Sequence, residues 1–121
     1  MEFIEGGAVV ELSNPGVVSR QLIWPGNSLS ERLAITEVHV QTGTSQPRHT
    51  HSSSEQIWYA LAGRGTLLLA DGGERVFVKG DVARFAEGDV HGLRNDSGEE
   101  FVYLSVTAPP INFSAAYRSR S

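Results

Sequence analysis

The sequence predicts a single all-β domain, a sandwich or a closed barrel. Three observations lead there. The chain has 121 residues, which suits one hydrophobic core and leaves little room for two. Thirteen glycines and five prolines interrupt it at short intervals. Between them lie short runs rich in Val, Ile, Leu, Phe, Tyr and Trp, and convincing helical periodicity is scarce. The apolar fraction, 40%, is enough for a packed interior.

Taken in order, strands are expected over residues 8–12, 17–24, 33–40, 56–62, 66–70, 75–78, 82–85 and 101–106. A capping serine at Ser28 offers a helix start, but the β-branched residues that follow make most of 28–37 strand. The sequence Ala70-Asp71-Gly72-Gly73-Glu74 is a hairpin signal, because Asp and Gly tolerate positive φ. A second turn is expected at Asn95-Asp96-Ser97-Gly98. Pro109 and Pro110 end the sheet pattern. Beyond them, residues 111–117 are expected to pack back on the barrel and residues 118–121 to fray. The apolar segment 17–24 would be an aggregation hazard if exposed. It either covers the chain's own barrel or pairs with a second copy.

Composition removes several function classes. The formal net charge is -4 and no basic stripe is present, so no nucleic acid partner is expected. Cysteine is absent, which excludes disulfides, thiolate metal sites and cysteine nucleophiles. The N-terminus carries Glu2 and Glu5 where a signal peptide carries basic residues, and no run is long enough to span a bilayer. A cytoplasmic protein without a membrane partner is expected.

The segment Gln46-Pro47-Arg48-His49-Thr50-His51 holds the first chemical signal. Alternate residues of a strand share a face and lie about 6.6 Å apart at Cα, so His49 and His51 can converge on one point. A lone pair of this kind is ordinarily solvated. Here, however, the chain has only four histidines, and a third, His91, lies in another glycine-framed segment, between Gly80 and Asn95. Imidazole nitrogens suit Zn, Cu, Fe and Ni, so these rings point to a metal. A carboxylate, Glu55, and a carboxamide, Gln56, follow the first pair, and either can supply a further donor.

These residues carry a resemblance. Gly43, His49, His51, Glu55 or Gln56, and Gly63 are similar to the first motif of the cupin superfamily. Gly80, Ala86, Gly88, His91 and Asn95 are similar to the second, with Ala86 standing where the family has proline, a change expected to loosen a turn. The resemblance implies a single domain over residues 1–121, a double-stranded β-helix or jelly-roll barrel with its core at about 33–107 and a tail at 108–121. It also implies one divalent metal ion at the centre. The spacing back from Gly63 selects Gln56 over Glu55 as the fourth ligand, beside His49, His51 and His91. In similar small cupins an N-terminal strand pairs with a neighbour's sheet, so a homodimer involving residues 1–32 is expected.

A neutral amide ligand leaves a divalent ion its full +2 charge, which favours an anionic chelating partner such as a carboxylate, enolate or enediol. Zn, Ni, Mn, Fe, Co and Cu all fit such a donor set. Trp58, Phe85 and Tyr103 are candidate pocket walls, although core packing explains each equally well. His39, Arg48 and Arg94 are expected to face away from the metal, and Asn95 to close a turn. No side chain stands out as a dedicated general base. Two functions remain open: a metal-dependent isomerase, lyase or dioxygenase acting on a small oxygenated or carboxylate metabolite, or a non-catalytic module that binds such a ligand.

Overall fold

The computed structural model describes residues 1–120. Its strands are β1 (Val10–Asn14), β2 (Val17–Ile23), β3 (Ala34–Val40), β4 (Thr44–His49), β5 (Glu55–Ala62), β6 (Arg64–Leu68), β7 (Glu74–Val78), β8 (Val82–Phe85), β9 (His91–Asn95), β10 (Phe101–Ala108) and β11 (Ser119–Arg120). Short 3-10 turns cover Gly6–Ala8, Ala70–Gly72 and Phe113–Ala116. A seven-stranded sheet in the order β11-β1-β2-β3-β10-β5-β8 faces a four-stranded sheet in the order β4-β9-β6-β7, and every pairing among the described residues is antiparallel. The architecture is all-β, as the punctuation and the short apolar runs require.

Alternation sets the inner face. In β3 and β10 every second residue is buried, and Val38, Val40, Phe101 and Tyr103 meet Leu67, Phe77 and Leu93 from the smaller sheet. Burying side chains of this size stabilises the sandwich by roughly 1.5–3 kcal/mol each. The turn at residues 70–74 joins β6 to β7, with Asp71 at φ 57° and Gly72 at φ 74°. Asn95 is fully buried. Its Nδ2 donates to the carbonyls of Val40 and Glu99, and its Oδ1 accepts from Ser97, which closes the predicted turn.

Three expectations change. Strand does not extend over 28–33; β3 begins at Ala34, and residues 28–33 form bends fixed by Ser28 and Ser30 side chains that accept from backbone N–H groups. The segment expected to seek a neighbour is paired on both sides in its own sheet, because β2 lies between β1 and β3. The tail does not fray over 118–120. The Arg118 N–H donates to Asn14 Oδ1 at 2.9 Å, and β11 adds to the edge of β1; Ser121 lies outside the described residues. Residues 111–117 fold back over the barrel, with Phe113 edge-on to His51 and Tyr117 packed on the core.

Candidate metal centre

The first histidine segment runs along β4, and a bulge aims it. Between Gln46 and His49 the register of β4 against β9 shifts, so that His49 stands directly opposite His91. Pro47, which has no N–H to give to a ladder, sits inside that irregularity. Gly92 makes the bulge possible. A Cβ there would lie 2.7 Å from the Gln46 carbonyl oxygen and 2.9 Å from the Pro47 carbonyl carbon. His51 follows β4 rather than belonging to it, and its carbonyl accepts from the Gly88 N–H at 2.9 Å. That bond ties the two glycine-framed segments together. The Ala86 N–H donates to Asp89 Oδ2 at 2.8 Å, a bond proline could not make, so alanine braces this turn instead of loosening it.

The rings of His49, His51 and His91 converge. Each offers a ring nitrogen, and the three atoms lie within 4.8 Å of one another. Ring centroids are 4.3 Å apart for His49 and His91, 5.0 Å for His49 and His51, and 5.2 Å for His51 and His91. The Nδ1 atoms of His49 and His91 lie 2.9 Å from the carbonyl oxygens of Pro47 and Asp89. With the proton assigned to Nδ1, each Nε2 keeps its lone pair free. Nε2 of His51 and of His91 are buried without a hydrogen-bond partner. Buried polar atoms are ordinarily satisfied, so these two lone pairs fit a cation between the rings.

Electrostatics favour the neutral form of His51 and His91. Burial pulls His91 down to about 4. Burial also lowers His51, and the neighbouring His49 lowers it further. At neutral pH these rings carry no proton to be displaced. Phe85 stacks on His91 at 4.5 Å and 16°, which fixes that ring from behind.

Gln56 and Glu55 part company. Gln56 is 4% exposed and lines the same cavity as His49 and His51. Its Nε2 donates to Thr107 Oγ1 at 2.9 Å, and its Oε1 accepts from the Trp58 indole N–H at 3.1 Å, which leaves that oxygen a second lone pair. Glu55 points to the outside and accepts from Arg84 at 2.7 Å.

The cavity in front of the histidines has a volume of about 350 Å³. Trp58 and Tyr103 form one wall, their rings 4.4 Å apart and tilted by 33°. Phe85 is absent from this wall and borders a separate depression. Tyr103 donates to Gln46 Oε1 at 2.9 Å, and burial pushes the phenols of Tyr103 and Tyr117 up. The remaining candidates lie elsewhere. His39 bridges Glu37 and Glu100, Arg48 donates to the carbonyls of Leu69 and Gly73, and Arg94 pairs with Glu74 and Asp96. Sequence reasoning did not single out Gly92, Gln46 or the tail residues Phe113 and Tyr117. Gly92 and Gln46 lie near candidate ligands in sequence, and the tail was expected to pack back on the barrel, but no local signal marked Phe113 or Tyr117 as cavity-lining.

A two-sheet antiparallel β-barrel with three imidazoles gathered on its inner side defines a double-stranded β-helix whose donor set suits a divalent metal. The chain belongs to the cupin domain family, whose description matches residues 36–107. It is similar to the uncharacterized protein MJ1618 of Methanocaldococcus jannaschii, 27% identical over 101 residues that span 84% of this chain and 80% of that protein. Among solved structures it is similar to the polyketide cyclase RemF from Streptomyces resistomycificus, with a TM-score of 0.78, 24% identity and coverage of 89% of this chain and 79% of that one. KdgF from Halomonas sp. superposes with a TM-score of 0.75 at 19% identity, over 92% of this chain and 96% of that one. These likenesses establish the fold. No helix among the described residues is long and apolar enough to cross a membrane.

Proposed function

We propose that this cupin is a metal-dependent enzyme acting on a small oxygenated or carboxylate metabolite, with His49, His51, Gln56 and His91 as the ligands of one divalent ion. The observation that carries the reading is the pair of buried, unpartnered Nε2 atoms on His51 and His91, beside His49 and behind a cavity of ligand size. When bound, a divalent ion acts as a Lewis acid toward a chelated carbonyl, carboxylate or enediol. The protein does the rest. Carbonyls of Pro47 and Asp89 fix the tautomers of His49 and His91. Trp58 and Thr107 hold the Gln56 amide so that its oxygen, not its nitrogen, remains available. Val17, Val38 and the aromatic side chains give the cavity an apolar lining beside the histidines. Isomerase, lyase and dioxygenase chemistry all accord with that arrangement, and similarity to the polyketide cyclase RemF accords with an enzyme.

A specific observation favours a second reading, a non-catalytic module that binds the same kind of ligand. Among the described residues no Asp, Glu or Lys lines the cavity, so none of them offers a dedicated general base. We also propose a cytoplasmic homodimer. The outer face of the larger sheet supports the dimer, with Ile57, Tyr59 and Val82 exposed on adjacent strands.

Elemental analysis of protein purified without added metal tests the centre. About one transition-metal ion per chain is expected in the wild type, and His51→Ala should reduce it to a small fraction. Full stoichiometry in that variant would refute the ligand assignment. Turnover of small keto, enol and uronic acids, with oxygen uptake recorded in parallel, then separates enzyme from binding module.

A further inference from the structure

The wall of the cavity is largely apolar, and the polar side chains interleaved in it are, among the described residues, free of carboxylates, ammonium groups and guanidinium groups. Ser19, Thr36 and Ser105, on the neighbouring strands β2, β3 and β10, line it, with the Ser19 hydroxyl accepting from Gln21 Nε2 at 2.8 Å, and Thr36 and Ser105 stand directly opposite each other. Ser45 and Gln46 add a hydroxyl and a carboxamide. Among the described residues no Asp, Glu, Lys or Arg takes part. Four basic residues on or beside the surrounding strands are committed elsewhere. Arg20 pairs with Glu11 and Glu37, Arg84 with Glu55, and Arg94 with Glu74 and Asp96, while Arg48 holds two backbone carbonyls.

We infer that the ligand is a small, flat, hydroxylated chelator that carries no charged group away from its chelating end. This rests on the metal-centre reading above and narrows it. A phosphate, a sulfate or a second carboxylate would leave water and find no cation in the wall, and an unpaired buried charge costs several kcal/mol. Neutral hydroxyl and carbonyl groups, by contrast, exchange hydrogen bonds with neutral side chains such as Thr36, Ser45 and Ser105 and leave no charge unpaired. Flatness follows from the aromatic lining supplied by Trp58, Tyr103 and Phe113, because aromatic rings favour offset or edge contact with another ring. Size follows from the 350 Å³ volume, which lies at the low end of small-molecule sites. Phosphorylated sugars and dicarboxylates are thereby disfavoured, and ene-diol, hydroxy-ketone or catechol-like molecules are favoured.

Two probes with one chelating head decide the matter: catechol and catechol-4-sulfonate. Calorimetric titration of zinc-loaded and metal-free protein, with each affinity divided by that of the probe for zinc in solution, isolates the effect of the remote charge. Catechol should bind the zinc-loaded protein about ten-fold more tightly or better on that normalised scale. Ser45→Arg, at an exposed position on the rim, should narrow the gap several-fold by supplying a cation. Equal or tighter normalised binding of the sulfonate to the wild type overturns the inference while leaving the metal centre intact. Failure of the protein to retain zinc refutes the metal reading, and the inference falls with it.

Discussion

Glu55 and Gln56 are adjacent in the chain, yet one meets solvent and Arg84 while the other meets Thr107, Trp58 and the histidine cavity. Strand alternation causes the split, since successive side chains leave a pleated sheet on opposite faces. The two alanine variants should therefore diverge. Gln56→Ala is expected to weaken metal binding about ten-fold or more, the range typical of lost metal-site support. Glu55→Ala should change it less than about two-fold, since its exposed pairing with Arg84 lies on the other face. Competitive titration with a chromophoric chelator reads both, and the reverse order would reassign the fourth donor. His39 shows how differently an imidazole behaves outside the cluster. Burial alone would lower its pKa, but hydrogen bonds to Glu100 and Glu37 outweigh that and raise it above the ordinary value. A raised folded-state pKa stabilises the protein below the unfolded value of about 6.5, and the contribution disappears as pH rises through the folded value. His39→Gln should accordingly cost a few tenths of a kcal/mol at pH 6, a modest effect because the group is partly exposed, and almost nothing at pH 9. Urea melts of both proteins at the two pH values check the sign.

At the scale of elements, β4 and β9 decide whether a centre exists. β4 reads TSQPRH, polar and broken by proline, and most of its residues are exposed. Nothing in its hydrophobic pattern announces a strand, because its pairing rests on backbone bonds to β9 and not on burial. The histidine spacing, read on its own, anticipated a shared face for His49 and His51. The bulge, and with it the meeting of His49 and His91, was illegible, since register depends on a partner strand about forty residues away. Gly92 is where this dependence can be tested. Gly92→Val would force the β4 backbone outward, at a cost of about 1–3 kcal/mol for overpacking. It should also lower metal affinity more than an equally destabilising change elsewhere in the core, such as Leu67→Ala. Denaturation midpoints and metal titrations on the two variants provide the comparison. Equal loss of affinity in both would deny the bulge its aiming role.

For the whole molecule, the larger sheet buries one face and leaves the other partly apolar. Tyr59 stands opposite both Val82 and Leu104, and Ile57 opposite Val106, across β8, β5 and β10. Val82 is 65% exposed on an edge strand. Contiguous apolar surface of this kind marks association sites. The proposed homodimer should therefore sediment as a dimer in the wild type and shift toward monomer in Val82→Asp, with the far-ultraviolet circular dichroism unchanged. A monomeric wild type at micromolar concentration would remove the dimer from the picture. The N-terminal segment, expected to make that contact, cannot do so as a free strand, because β1 and β3 already occupy both of its edges.

The all-β class, most strand positions, the turn at Asp71 and Gly72 and the three histidines were all present in local sequence, since alternation, turn chemistry and donor type are properties of neighbouring residues. The ring-to-ring geometry, the orientation of the Gln56 amide, the lining of the cavity and the contact of Phe113 with His51 were decided only in the folded chain. Each of those depends on strand register or on residues tens of positions apart, and short-range patterns do not encode which backbone will stand beside which.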